Sequence, residues 1–141
     1  MSDAGSKGKT IQIFLPTGEP RGVRIAELTT RIVQTIQIPR SDLAQGRLRP
    51  ELSQPAVYFL IADPDERAKP IVYIGQSESP RQRLDQHNAN RDAWRVAIVA
   101  ISRTSSFTQA HIRYLEWLCI DQASKAGRFV VENGNAGSKP F

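Results

Sequence analysis

Tyr73, Arg83 and His87 fall within one short stretch, residues 71–88, and their types and spacing suit the holding of a polyanion. Arg83 and His87 are four residues apart, so on a helix both project from the same face. The intervening residues supply the elements needed to place them. Ile71, Val72, Tyr73 and Ile74 are β-branched or aromatic and are closed by Gly75, a strand that ends in a residue permitting close approach. Ser79 at an N-cap position, Pro80 in the first turn and Gln82 three residues beyond the cap then predict a helix opened by a capping box. A phenol at a strand end thereby meets a guanidinium and an imidazole from the next helix. The competing reading of this stretch alone is an amphipathic helix with a solvated arginine and histidine.

The rest of the chain must form the frame. Its 141 residues suit one domain with one real core. Nineteen Lys and Arg against fourteen Asp and Glu give +5, with an isoelectric point near 9.8. That excess suits a phosphate-bearing partner without reaching ribosomal basicity. Cys119 is the sole cysteine, which excludes an intramolecular disulfide and any multi-cysteine metal site; in its apolar helical run it reads as a small buried hydrophobe. No signal peptide and no long apolar segment is present, so the expectation is a soluble, cytoplasmic protein that enters no membrane.

Residues 1–8 are small and polar and predict a disordered lead-in. Residues 9–15 alternate, with Ile11, Ile13 and Leu15 on one face; a turn over 16–22 and a return strand over 23–28 complete a hairpin. Residues 29–38, carrying Ile32, Ile36 and Ile38, fit either a third strand or a short helix. A short helix over 41–45 leads into a linker, 46–55, that holds Arg47 and Arg49. A strongly β stretch over 56–62 pairs through a polar, Pro-bounded loop, 63–70, with the strand at 71–75. Residues 94–101 are nearly all apolar and predict a strand buried on both faces. Ser106 with Gln109 reads as a second capping box, opening a helix that runs to about Ala126 and is ended by Gly127. Its core stripe is Ile112, Leu115, Leu118, Cys119, Ala123 and Ala126. Glu116 sits among Leu115, Trp117 and Leu118, an awkward place for a carboxylate. Trp94, Trp117 and Phe107 read as core, and His111 as an exposed helix residue. The segment ends with an apolar run at 129–131, then Glu132, Asn133, Gly134 and Asn135, and an irregular tail, 136–141, which leaves room for a further C-terminal domain.

Ala56-Val57-Tyr58, then Tyr73-Ile74-Gly75, Arg83, Glu116 in a long helix and Asn133 resemble, in that order, the GIY-YIG nuclease domain over residues 56–135. The second motif matches letter for letter, and the step from Tyr73 to Arg83 is the one the family uses. Ala56 stands where the first motif's glycine would fall, and the loop between the motifs is longer than typical. The resemblance implies an α/β (α+β) fold: a small three-stranded antiparallel sheet flanked by helices, with residues 9–55 as an N-terminal β-hairpin extension that is structural and not catalytic. It implies a metal-dependent DNA endonuclease that hydrolyses phosphodiester bonds, taking one divalent ion, Mg²⁺ or Mn²⁺, with Glu116 its only protein carboxylate. It also implies roles: Tyr58 as general base, Tyr73 positioning water, Arg83 on the scissile phosphate and Asn133 shaping the site, with Asn135 the other candidate. His87 matches a histidine of restriction-type members and would bond Tyr58 or the phosphate.

The chemistry is consistent on its own terms. Phosphodiester cleavage needs an activated water, neutralised phosphoryl oxygens and a stabilised leaving oxygen. A phenol serves as acid or base once its pKa of about 10 is lowered, a guanidinium forks onto phosphate oxygens, and one carboxylate suffices for Mg²⁺. Period-two alternation sets Tyr58 and Leu60 against Val57, Phe59 and Ile61, and a general base needs the Tyr58 hydroxyl to escape the core. DNA contact would run through the phosphate backbone, weakly and salt-dependently, because Arg81, Arg83, Arg91, Arg95 and Arg103 are dispersed. The alternative is a catalytically idle GIY-YIG-like module that binds nucleic acid or a protein partner; a third is an unrelated basic interaction domain.

Overall fold

Period-two, β-branched segments dominate the chain, and in the computed structural model, which describes residues 8–64, 69–90 and 93–133, they all enter one sheet. In chain order the strands are β1 (Ile11–Phe14), β2 (Arg24–Leu28), β3 (Val33–Pro39), β4 (Ala56–Ala62), β5 (Ile71–Ser77), β6 (Trp94–Ser102) and β7 (Val130–Val131). The helices are α1 (Leu43–Gly46), α2 (Pro80–Asn90) and α3 (Gln109–Ala126), with 3₁₀ turns at Arg40–Asp42 and Pro50–Ser53. Across the sheet the order is β1-β2-β3-β6-β4-β5-β7, antiparallel except where β5 meets β7. The lead-in before Gly8, residues 65–68 of the inter-motif loop, Arg91, Asn135 and the tail lie outside the described residues.

The small three-stranded sheet expected from the resemblance is therefore corrected. Its strands are present as β6-β4-β5, but inside a seven-stranded sheet. Alone, β6 would be an edge strand with a bare row of N–H and C=O groups. Instead β3 pairs with it from Val33↔Ser102 to Pro39↔Val96, so the N-terminal hairpin extends the sheet. This also resolves the choice left open for residues 29–38: residues 29–32 form the turn after β2 and the rest, from Val33, is strand, because only an extended chain satisfies that edge.

The stretch read as a linker is corrected too. Leu52, in its 3₁₀ turn, is fully buried, and Arg47 grips Asp85 of α2 through two bonds of 2.8 and 2.7 Å. Arg81 of α2 returns the grip, donating to the carbonyl of Arg47 and, at 2.8 Å, to that of Arg49. These partners lie 32–38 residues apart in the chain, beyond any local pattern.

Alternation sorts the core into two layers. Tyr58, Leu60, Ala97, Val99 and Ile101 join Ile36 and Ile38 beneath Leu84 of α2 and Leu52. On the opposite face Val57, Val72 and Ile74 pack against Ile112 and Ile120 of α3, with Phe59 and Ile61 beside them. Strand β6 is buried fully on the first face only; Val96, Ile98 and Ala100 are half-buried, because α3 lies over β5 and β4. The helix itself starts two residues later than the sequence suggests. Thr108 is its N-cap, accepting from the His111 N–H while His111 Nδ1 accepts from the Thr108 N–H at 3.0 Å. Ser106 is engaged elsewhere, on the Ser102 and Thr104 hydroxyls. Gly127, at φ 68°, ends the helix in the left-handed conformation expected of it. Of the expected stripe, Leu115, Cys119 and Ala123 pack with Ile112, but Ala126 is exposed and the overlooked Ile120 is buried. Trp94 and Phe107 are core as read, whereas Trp117 is half-buried, its ring 6.0 Å from Tyr114.

Candidate active site

Tyr58 and Gly75 are direct partners across the β4–β5 ladder, and that pairing builds the site's floor. A Cβ at position 75 would lie 2.4 Å from Tyr58 Cζ and 2.5 Å from its hydroxyl oxygen. No other residue leaves room for the ring, which gives the close approach permitted by Gly75 a concrete object. Tyr58 is 0% exposed, so its hydroxyl does not escape the core. It ends instead on His87, whose Nε2 lies 2.8 Å away. The two side chains meet because Leu84, one turn earlier on α2, anchors that helix in the same layer as Tyr58.

Tyr73 completes a cluster of three rings. Its centroid lies 5.2 Å from that of His87 and 6.4 Å from that of Tyr58, while Tyr58 and His87 are 5.4 Å apart. Tyr73 is half-buried and is the more accessible of the two phenols. Arg83, one turn before His87, stands beside Tyr58; its Nη1 also donates to Gln86 Oε1 at 3.1 Å.

The electrostatics follow from this packing. Burial pushes the Tyr58 hydroxyl above its usual pKa, and the hydrogen bond and positive charge of Arg83 pull it partway back; Tyr73 and Glu116 add to the rise. Arg83 is in turn raised, chiefly by its hydrogen bond to Tyr58. Glu116 is four residues from both Ile112 and Ile120, so it lies in the stripe that α3 buries. Its carboxyl is half-buried and pushed upward by that burial, with Arg83 opposing. The awkward carboxylate in an apolar stripe thus lies within reach of the positive charge of Arg83. Cys119, nearby on α3, is likewise pushed up by burial, which favours the neutral thiol.

Asn133 acts through the backbone. Its Oδ1 accepts from the Ile74 N–H at 3.1 Å and its Nδ2 donates to the Ile74 carbonyl at 2.5 Å. The amide thereby continues the β7 pairing onto β5 and clamps the residue between Tyr73 and Gly75. Both polar ends of the amide are thus engaged by the Ile74 backbone.

Among the described residues no three His, Cys, Asp or Glu side chains gather as a metal cage. A single carboxylate such as Glu116 would suit a hard divalent ion, which takes one or two carboxylates and keeps much of its water. The donor set does not fit zinc, which prefers several nitrogen or sulfur ligands. Two features carried no local sequence signal: the Arg47 and Arg81 contacts that seat α2, and Arg40, which lies 4.6 Å over the Trp94 ring behind the same helix. The dispersed arginines are also partly spoken for, since Arg95 pairs with Asp63 at 2.9 Å and Arg103 with Glu27 at 2.6 Å.

A paired strand hairpin bearing two tyrosines, a helix bearing arginine and histidine, and a second helix bearing a glutamate define a class. The family model of the GIY-YIG catalytic domain matches residues 54–128, over half the chain, and the protein belongs to that family. Such domains are generally nucleases that act on DNA and depend on a divalent metal. Neither the curated proteins nor the solved structures compared with the chain give a match. No helix among the described residues is long and apolar enough to cross a membrane.

Proposed function

We propose that this chain is a metal-dependent DNA endonuclease and that Tyr58, Tyr73, Arg83, His87 and Glu116 carry its hydrolysis of a phosphodiester. The observation that supports this best is the packing of the two phenols and the imidazole around one point, with Arg83 and Glu116 electrostatically coupled to it. Glu116 would hold the ion, Mg²⁺ by preference or Mn²⁺, which when bound would supply neutralisation of the charge that develops on the phosphate. Arg83 forks onto the phosphate oxygens as negative charge builds. Tyr58, whose pKa is raised and whose hydroxyl is buried, acts as a relay and not as a free phenolate. Once substrate binding admits the attacking water, the phenolic proton passes to His87 Nε2 in the same step as the phenol oxygen takes one from that water, so the imidazole ends with the proton. As the new P–O bond forms, the bond to the departing oxygen breaks. Tyr73 orients the water between the rings, and Asn133 holds the strand that carries it.

The test is cleavage of plasmid DNA by the whole chain with Mg²⁺, with chelator, and as Glu116→Gln. Cleavage should need the ion and vanish in Glu116→Gln, while DNA binding stays near wild type; a Glu116→Gln protein that still cuts would falsify the assignment. One observation favours a second reading, a catalytically idle module: the Tyr58 hydroxyl is sealed from solvent. Metal-independent DNA binding with no cleavage under any condition would select that reading.

A further inference from the structure

The N-terminal extension does more than widen the sheet. We propose that Arg40, which lies outside the family-matched segment, is a positioning residue for the site, acting through Trp94 and the last turn of α2 on His87. Among the described residues its guanidinium donates from Nε to Asn88 Oδ1 at 2.9 Å, from Nη2 to the Asn88 carbonyl at 2.9 Å and from Nη1 to the Trp94 carbonyl at 3.0 Å. Its plane also covers the Trp94 indole, 4.6 Å from the ring centroid. Trp94, only 3% exposed, donates its Nε1–H to the His87 carbonyl at 3.3 Å.

These contacts fall where the helix needs them. The carbonyls of His87 and Asn88 belong to the last turn of α2, which has no intrahelical donors of its own. A cation there also complements the helix dipole. An ordinary C-terminal cap would stop at stabilising the helix. Here the capped turn carries the imidazole that must meet Tyr58 at 2.8 Å, so holding the backbone at residues 87 and 88 holds that bond. Hydrogen bonds weaken quickly beyond about 3.2 Å, so a small shift of this turn opens the pair. Arg47 on Asp85 fixes the same helix from a second point of the extension.

The rate consequence rests on the nuclease reading; the geometric one does not, and the test separates them. The chain has two histidines, so imidazole ¹⁵N signals of the uncleaving, DNA-free protein resolve into His87 and His111, the former identified by its loss in His87→Gln. In Arg40→Ala the His87 Nε2 resonance should move by several parts per million toward the tautomer-averaged position, while those of His111 stay in place. Trp94→Phe keeps the aromatic packing but removes the donor to His87, and should move the same resonance in the same direction; it decides the matter if Arg40→Ala does not fold. His87 signals that superimpose on wild type in every folded variant overturn the proposal. In single-turnover cleavage Arg40→Ala should be slower by roughly ten- to a hundredfold, as misplacement of a reacting group by an ångström costs. It should have no further effect in a His87→Ala background, and a full additional loss there would also overturn the proposal. A wild-type chain that cleaves nothing would remove the nuclease reading while leaving the resonance test to decide the role of Arg40.

Discussion

Strands β1 and β4 are built from similar residues and belong to one sheet, yet they live in different solvents. In β4 five of seven residues are buried, Tyr58 completely; in β1 all four are exposed, with Ile11 at 65% and Ile13 at 58%. The difference lies in what covers them. Strand β4 is central, with α2 on one face and α3 on the other, whereas β1 is an outer strand beyond the reach of both. Between the two, β3 is covered on one face, where Ile36 and Ile38 join the α2-side core. The candidate site occupies the doubly covered half. There burial raises the pKa of a carboxyl and a phenol, because the charged form of each loses water, and the same low-water surroundings strengthen their interaction with Arg83.

The comparison breaks most sharply at Tyr58. Tyr58→Phe removes one oxygen and little packing, so single-turnover cleavage should fall by about a hundred- to ten-thousandfold while the fold survives. Cleavage near wild type, with an unchanged melting temperature, would transfer the base role to Tyr73 or His87. The next contrast is between the sheet halves. Ile36→Ala should cost about 2–5 kcal/mol, as a buried truncation does, but Ile13→Ala only about 0.5 kcal/mol or less. Equal losses in urea denaturation would mean that the outer half is covered in solution. Gly75→Ala comes third: a methyl group driven into the Tyr58 ring should cost about 1–3 kcal/mol and displace the phenol from His87. A tolerated alanine with full cleavage would show that the cradle is loose.

The smallest effect concerns Glu116. Its folded pKa is raised by burial, so the stability tied to it is fully present below the unfolded pKa and is lost as pH rises through the folded one. Glu116→Gln, which is never charged, should therefore melt close to wild type at pH 4 and a few degrees above it at pH 7. A variant that is stabilised equally at both pH values would show that the carboxylate is not strained by burial.

Much of this was legible in the chain itself, and what was legible is local. The boundaries of β4, the start of β5, the proline-led α2 and the left-handed Gly127 come from β-branched runs, a proline and a glycine, each read from neighbours in sequence. The candidate site was legible as an ordered set, because Tyr58, Tyr73, Arg83, His87, Glu116 and Asn133 sit on elements whose order fixes them. Tertiary structure decided everything that depends on distant partners. Whether β6 ends a three-stranded sheet or lies inside a seven-stranded one turns on an edge satisfied by residues some sixty positions earlier. The burial of the Tyr58 hydroxyl depends on a glycine in the facing strand and an imidazole on the next helix. The capping of α2 by Arg40 joins residues 48 and 54 positions apart. Local sequence sets the backbone's preferences over a few residues; which buried polar group finds which partner is settled only when the whole sheet closes around them.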